Sequence, residues 1–185
     1  SIGEVEGLPA QWLVAAGGLA GHVRASLLLD GRWNLAAAPR LDGSLAVRRR
    51  SGDVFVLPDR LALGLEKAVL EARFVDGAAS ASAALASRYG NAEAQASLRG
   101  FSADSPLDFT ARIRFAELRT LLQPFLQEAR ADGRLSAEVR GSGTLGEVKL
   151  GGSLEGDALA LQIPPYGVFL KDGELRAVLE GDQLR

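Results

Sequence analysis

Across most of this chain, every second residue is apolar. In Val23, Ala25, Leu27 and Leu29 every second residue is apolar, with His22, Arg24 and Ser26 as the polar set, and the same rhythm returns in Leu61, Leu63, Leu65 and in Ala68, Leu70, Ala72, Phe74. It continues through Ala79, Ala81, Ala83, Leu85 and through Ala92, Ala94, Ala96, Leu98. Leu107, Phe109, Ala111, Ile113, Phe115 is the clearest case, with Asp108, Thr110, Arg112 and Arg114 between. Leu135, Ala137, Val139, then Leu159, Leu161, Ile163, and finally Leu175, Ala177, Leu179 complete the series. A period of two is the mark of a strand with one face buried. The phase changes across Glu66 and Lys67, which predicts a turn or bulge there.

Composition pulls the other way. There are 31 Leu and 30 Ala against 12 Val and 3 Ile, a balance that favours helix over strand. Periodicity outweighs it, because helical spacing occurs in only two short segments. Leu118, Leu121, Leu122 and Phe125 recur at helical spacing ahead of or around Pro124, predicting a helix near 116–122. Pro9 to Ala16, stopped by Gly17-Gly18, predicts another near 9–16. Asp-Gly occurs at 30–31, 42–43, 76–77, 132–133 and 172–173, a dipeptide suited to two-residue hairpin turns. Asp30-Gly31 and Asp172-Gly173, flanked by strand-like runs, are the preferred hairpins. With turn signals this frequent, the expectation is an all-β, mainly antiparallel meander of about 12 strands.

An internal repeat follows from the helices. Gly21-His22-Val23-Arg24-Ala25-Ser26-Leu27 is echoed by Gly133-Arg134-Leu135-Ser136-Ala137-Glu138-Val139, and Leu41-Asp42-Gly43-Ser44-Leu45 by Leu150-Gly151-Gly152-Ser153-Leu154. The unit is about 110 residues, a short helix and then strands. It divides the chain into 1–115 and an incomplete 116–185. The chain starts at Ser1 rather than Met, so it is expected to be a piece of a longer protein.

Catalytic chemistry has little to build on. The chain has no Cys and a single His, His22, placed on the polar side of a strand. No nucleophile elbow, phosphate loop, zinc motif or calcium loop occurs. Asp104 and Asp108 flank Pro106 as a solvated pair, and Gly141-Ser142-Gly143-Thr144 lacks the Lys and helix of a phosphate cradle and reads as a hairpin loop. Arg48-Arg49-Arg50 is either a contact for lipid headgroups or an acidic partner, or a solvated strand end whose charges discourage edge pairing. With 21 basic and 23 acidic residues, nucleic acid is not an expected partner. The expectation is no enzyme, no cofactor and no metal.

What calls for a function is the apolar side of so many strands. Two short helices cannot cover it, so the sheet either folds on itself or curls into an open trough holding something apolar. The small Ala81, Ala83, Ala94 and Ala96 leave room and favour the trough. The expected lining is Val23, Ala25, Leu27, Leu61, Leu63, Leu65, Ala81, Ala83, Leu85, Ala94, Ala96, Leu98, Leu107, Phe109, Ala111, Ile113, Phe115, Leu135, Ala137, Val139, Leu159, Leu161, Ile163, Leu175, Ala177 and Leu179.

Three C-terminal segments carry a family resemblance. They are Gly141-Ser142-Gly143-Thr144-Leu145-Gly146 through Leu150-Gly151-Gly152-Ser153-Leu154, then Leu159-Ala160-Leu161-Gln162-Ile163-Pro164-Pro165-Tyr166-Gly167-Val168, and Leu170-Lys171-Asp172-Gly173-Glu174-Leu175. Their rhythm resembles the C-terminal half of the TamB family, related to the AsmA-like proteins of Gram-negative bacteria. The pattern extends over most of the chain, and the motifs are specific over residues 131–185. The resemblance implies a long curled sheet forming an open hydrophobic groove, called a β-taco. It implies the periplasmic portion of an inner-membrane-anchored protein, its anchor outside this segment, working with TamA, an outer-membrane barrel protein of the Omp85 type. The cargo it implies is phospholipid moving between inner and outer membrane, or unfolded outer-membrane barrel proteins and autotransporters handled during assembly. A structural β-sandwich of a surface protein is the reading left if the sheet proves closed.

Overall fold

Tight connections turn the alternating segments into one sheet. Asp76 and Gly77 take φ of 52° and 78°, and Val75 pairs with Ala78 across them. Two consecutive positive φ values make the primed two-residue turn that matches strand twist. The computed structural model describes residues 1–10, 23–37, 40–56, 61–122, 130–180 and 183–184. In chain order the strands are β1 (Ile2–Pro9), β2 (Val23–Ala25), β3 (Leu28–Ala36), β4 (Asp42–Ser51), β5 (Val54–Val56), β6 (Leu61–Ala62) and β7 (Leu65–Val75). They continue as β8 (Ala78–Ser87), β9 (Gly90–Leu98), β10 (Pro106–Phe115), β11 (Arg130–Thr144), β12 (Val148–Ile163), β13 (Val168–Glu180) and β14 (Gln183–Leu184). The described helices are α1 (Leu118–Leu122) and a single 3-10 turn at Pro164–Tyr166.

Eleven strands form one antiparallel sheet in the order β1-β3-β4-β7-β8-β9-β10-β11-β12-β13-β14, and β2, β5 and β6 form a separate small one. The large sheet is curled and open. Its two edges are β1 and β14, and its main strand contacts run only between neighbours in the sheet. Among the described residues α1 lies against β11 with Leu118 buried, no second sheet is in substantial contact with the large one, and no large side chain is wholly buried.

Several local expectations change. Asp30-Gly31 and Asp172-Gly173 are not hairpins but lie inside β3 and β13. At Gly31 the reason is close approach: a Cβ there would sit 3.1 Å from the Val5 side chain of the neighbouring strand. At Asp172, with φ of 52°, the dipeptide supplies a bulge. Gly141 to Thr144 is the end of β11 rather than a loop, and the turn is Leu145 to Glu147. The helix expected near 116–122 is present as α1. Of the one expected near 9–16, Pro9 instead closes β1 and Ala10 is buried, while 11–16 lie outside the described residues. The phase change at Glu66 and Lys67 is a bulge in the β7–β8 ladder between Leu65 and Lys67. The boundary at 115/116 falls between β10 and β11, which pair from Phe115–Leu135 to Pro106–Thr144, so the sheet runs across it unbroken.

The small sheet is tied to the large one by Asp53. Its carboxylate accepts backbone N–H bonds from Val54 at 2.8 Å, Gly64 at 2.9 Å and Leu65 at 3.0 Å. Partial burial pushes this carboxyl up, but the three N–H bonds and nearby Arg49 outweigh it and hold its pKa below the usual value. A carboxyl whose pKa is lowered on folding stabilises the fold above its unfolded pKa of about 4, and that contribution is lost as pH falls through the folded value. Asp53→Ala is therefore expected to cost about 1–3 kcal/mol in urea unfolding at neutral pH. The gap to the parent chain is expected to close on acidification. An equal gap at acidic pH would show that the carboxylate charge contributes nothing.

Candidate functional site: an uncovered apolar face

Residues opposite one another in an antiparallel ladder put their side chains on the same face. One unbroken cross-strand row therefore reads Val5, Gly31, Val47, Leu70, Ala83, Ala94, Ala111, Val139, Gly152, Leu179, from β1 to β13. A second reads Gly3, Trp33, Leu45, Ala72, Ala81, Ala96, Phe109, Gly141, Leu150. A third runs Ala68, Leu85, Ala92, Ile113, Ala137, Leu154, Ala177. None contains a polar side chain. At about 4.8 Å per strand the first row is roughly 43 Å long.

Of the expected lining, Leu65 and every residue from Ala81 to Leu179 fall on this face. Leu98 and Leu107 pair with each other, and Phe115 faces Leu135, which leads through Gly156 to Leu175. Leu161 joins through Ala131, with Ile163 two residues on, and Leu159 lies over Gly156 beside Leu175. The first strands are placed differently. Val23, Ala25 and Leu61 belong to the small sheet, where they pair with Val56, Val54 and Val56. Leu27 and Leu63 lie in connections, Leu27 accepting from Ala10 N at 3.0 Å and Leu63 donating to Val54 O at 2.9 Å. In their place the large face takes Val5, Trp33, Leu45 and Val47. The Leu45-x-Val47 alternation carried a signal for this, whereas Val5 and Trp33 had none in period.

The face has relief. On β8 and β9 the floor is Ala81, Ala83, Ala94 and Ala96, and the flanking strands raise Leu70 and Phe74 on one side and Phe109 and Ile113 on the other. The result is a furrow about 14 Å between the bounding strands. Nothing described covers it: Leu70, Leu85, Ile113, Leu150 and Leu175 are all exposed despite their size. Where large rings occur, glycines make room for them. The Phe109 ring covers Gly141, and Trp33 covers Gly3.

The opposite face is polar and bonded to itself. Arg112 meets Glu138 at 2.6 Å and Arg48 meets Glu71 at 3.2 Å. The bond to Arg112 is the main cause that lowers the Glu138 pKa and raises that of Arg112. A concavity of about 890 Å³ is lined by the second apolar row from Leu45 through Ala72, Ala81, Ala96 and Phe109 to Gly141, flanked by the rows Ser44, Arg73, Ser80, Ser97, Asp108, Ser142 and Ala46, Glu71, Ser82, Gln95, Thr110, Arg140.

The remaining candidates resolve locally. Arg49 donates to Gly52 O at 2.8 and 3.0 Å, and Arg50 reaches Glu6 at 2.9 Å and Asp30 at 3.5 Å, so the basic run is engaged within the protein. The bond to Glu6 raises the Arg50 pKa. Asp104 is in a loop organised by the buried Ser105, whose hydroxyl accepts from Ser102 N at 3.1 Å, while Asp108 is in the polar row. His22 lies outside the described residues. Among the described residues no group of His, Asp and Glu converges as a metal site, and no helix is long and apolar enough to cross a membrane.

No family model matches this chain, and no curated protein or solved structure matches it either.

A Cβ on Gly141 would lie 2.1 Å from Phe109 Cε1. Gly141→Val is thus expected to displace the ring and cost about 1–3 kcal/mol in urea unfolding. Phe109→Ala in the same chain is expected to recover part of the loss. If the two changes simply add, the ring does not rest on this glycine.

Proposed function

We propose that this chain is a segment of a non-enzymatic hydrophobic conduit of the TamB kind, passing phospholipid across the periplasm between inner and outer membrane. On this reading it is the periplasmic portion of an inner-membrane-anchored protein that works with an Omp85-type barrel partner such as TamA. The observation that carries the reading is the row from Val5 to Leu179, ten strands without a polar side chain and with no covering layer among the described residues. Acyl chains require only an apolar, water-excluding surface, and this one is continuous across the strands.

A second reading is a scaffold that receives unfolded strands of autotransporters or outer-membrane barrel proteins. It is favoured by one observation: among the described residues β14 pairs only with Leu179 and Glu180, leaving the outer edge of β13 from Val168 to Val178 without a strand partner. Strand addition needs such a backbone edge. The surface-sandwich reading needs a second sheet against the apolar face, and none is among the described residues.

Native mass spectrometry after expression in a Gram-negative host separates these readings. Co-purified phospholipid is the expected result. Ile113→Asp and Leu161→Arg are expected to lower the bound lipid at least about tenfold, because a charge against acyl chains costs more than the ~1.4 kcal/mol that factor requires. Both sites lie on the uncovered face, so unfolding curves close to the parent are expected. Folded variants that keep their lipid, or a parent chain that carries none, would overturn the conduit.

A further inference from the structure

The alanine floor in the middle of the sheet forms a track with defined ends. At one end Ala79 alone is small, between Phe74 and Leu98. At the other Ala92 alone is small, between Leu85 and Ile113. Between these levels three neighbouring strands carry alanine, first Ala72, Ala81 and Ala96, then Ala83, Ala94 and Ala111. The track therefore crosses from β8 to β9 as it runs along the strands. From Ala79 to Leu85 on β8 it is roughly 20 Å long at about 3.4 Å per residue. One lipid tail fills half of the ~30 Å hydrocarbon core of a bilayer, about 15 Å, so the length suffices for one. At each end the flanking side chains stand two strands apart, roughly 10 Å between backbones. A hydrocarbon chain touching a wall on each side needs about 8 Å between wall atoms, and two chains abreast about 12 Å. The ends admit one chain.

Along the track β8 and β9 are paired on both sides, so the floor offers no free backbone hydrogen bond. A peptide lying there would leave its own N–H and C=O groups unpaired against apolar side chains, whereas a hydrocarbon has none to lose. The two ends differ. Beyond Ala92 the sheet ends beside Leu65, Tyr89 and Leu118, all buried. Beyond Ala79 it ends at a lip where Val75 and Phe101 are exposed. There Arg99, one residue past Leu98, has no acidic partner among the described residues, while Arg40 and Asp76 are paired with each other at 3.6 Å. Asp104 follows in the next loop, so Arg99 is a weak counter-charge. We infer that this track seats a single lipid acyl chain along the strands, its methyl end toward Tyr89 and its phosphate toward Arg99. The inference rests on the conduit reading and adds a fixed station to it: the chain lies across the long apolar rows rather than along them.

The probes are palmitoyl lysophosphatidylglycerol, with one tail and one phosphate, and monopalmitoylglycerol, with the tail alone, both kept below micelle formation. Each is expected to bind the parent chain one to one. Ala83→Ile and Ala94→Ile put a strand-favouring side chain into the track. Each is expected to weaken both probes at least about tenfold while urea unfolding stays at or above the parent. Arg99→Gln is expected to weaken lysophosphatidylglycerol about two- to fivefold and leave monopalmitoylglycerol unchanged, the scale of an exposed ion pair. Arg88→Gln, at the other end, is expected to change neither. The chain has no cysteine, so a single thiol reports where the probe lies. Lysophosphatidylglycerol is expected to slow maleimide labelling of Ala94→Cys at least about tenfold and to leave Ala177→Cys, on the same face at β13, unaffected. Folded isoleucine variants that bind as the parent does, or equal shielding of both thiols, overturn the seat. If Ile113→Asp still abolishes that binding, the conduit stands without the station. A parent chain that binds neither probe and carries no phospholipid overturns both. Weakening by Arg88→Gln in place of Arg99→Gln overturns the orientation. Should the isoleucine variants lose their circular dichroism signal, the thiol result decides.

Discussion

Everything in this fold depends on ladder register and side-chain alternation staying in phase from strand to strand. A slip of one residue would turn a strand over and place its polar side chains in the apolar rows. The ladders are not regular. They shift between Val5 and Leu8, between Leu65 and Lys67, and twice in the β12–β13 pair. Others fall between Leu28 and Leu29 and between Asp132 and Arg134, and two of the shifts coincide with a change of phase in the sequence. The bulge at Leu65 to Lys67 coincides with the jump from Leu65 to Ala68, and Ala158 with φ of 50° sits where the apolar set passes from Gly156 to Leu159. These two bulges preserve the polarity of the face.

With one face apolar and no second layer among the described residues, the stability they show comes from the ladder itself and from contacts within each face. That accounts for cross-strand pairs such as Arg112–Glu138 on the polar side and for rings lying over glycine on the other. The exposed ion pairs each contribute little, by the usual measure of surface salt bridges. Asp53 acts differently, because it satisfies three backbone donors where two sheets meet and a ladder cannot.

Strand existence was legible in the sequence because alternation is a direct image of one-sided burial. Which sheet a strand joins was not. Val23-x-Ala25-x-Leu27 alternates as well as any segment, yet Val23 and Ala25 pair with β5 in the small sheet. β1 was hidden for the opposite reason: Ile2, Val5 and Leu8 are spaced by three, and the kink at Gly7 brings Val5 and Leu8 to one face while Ile2, opposite Asn34, stays on the other. Asp-Gly was read too narrowly as a hairpin signal. The physical content of the dipeptide is a backbone free to take positive φ and a position without Cβ, and bulges and close strand approaches use both. Of five occurrences, Asp76-Gly77 alone closes a two-residue hairpin among the described residues. The apolar face was legible from β7 to β13, and its extension through Trp33 and Leu45 needed the register.

Alanine on β8 and β9 gives the furrow its meaning. Alanine is a poor strand former, and a chain selected only for a stable sheet would carry Val or Ile at Ala81, Ala83, Ala94 and Ala96, as it does at Val47 and Val139 in the row of Ala83 and Ala94. Among the described residues no element is in substantial contact with β8 or β9 apart from their neighbours in the sheet, so crowding by a described element does not account for the small side chains. They are a local preference set against the global fold, the kind of conflict that marks a position kept for something other than folding. What they preserve is depth between the side chains of β7 and β10. An apolar guest of the kind proposed for this face would lie in that depth, between Leu70 and Phe74 on one side and Phe109 and Ile113 on the other.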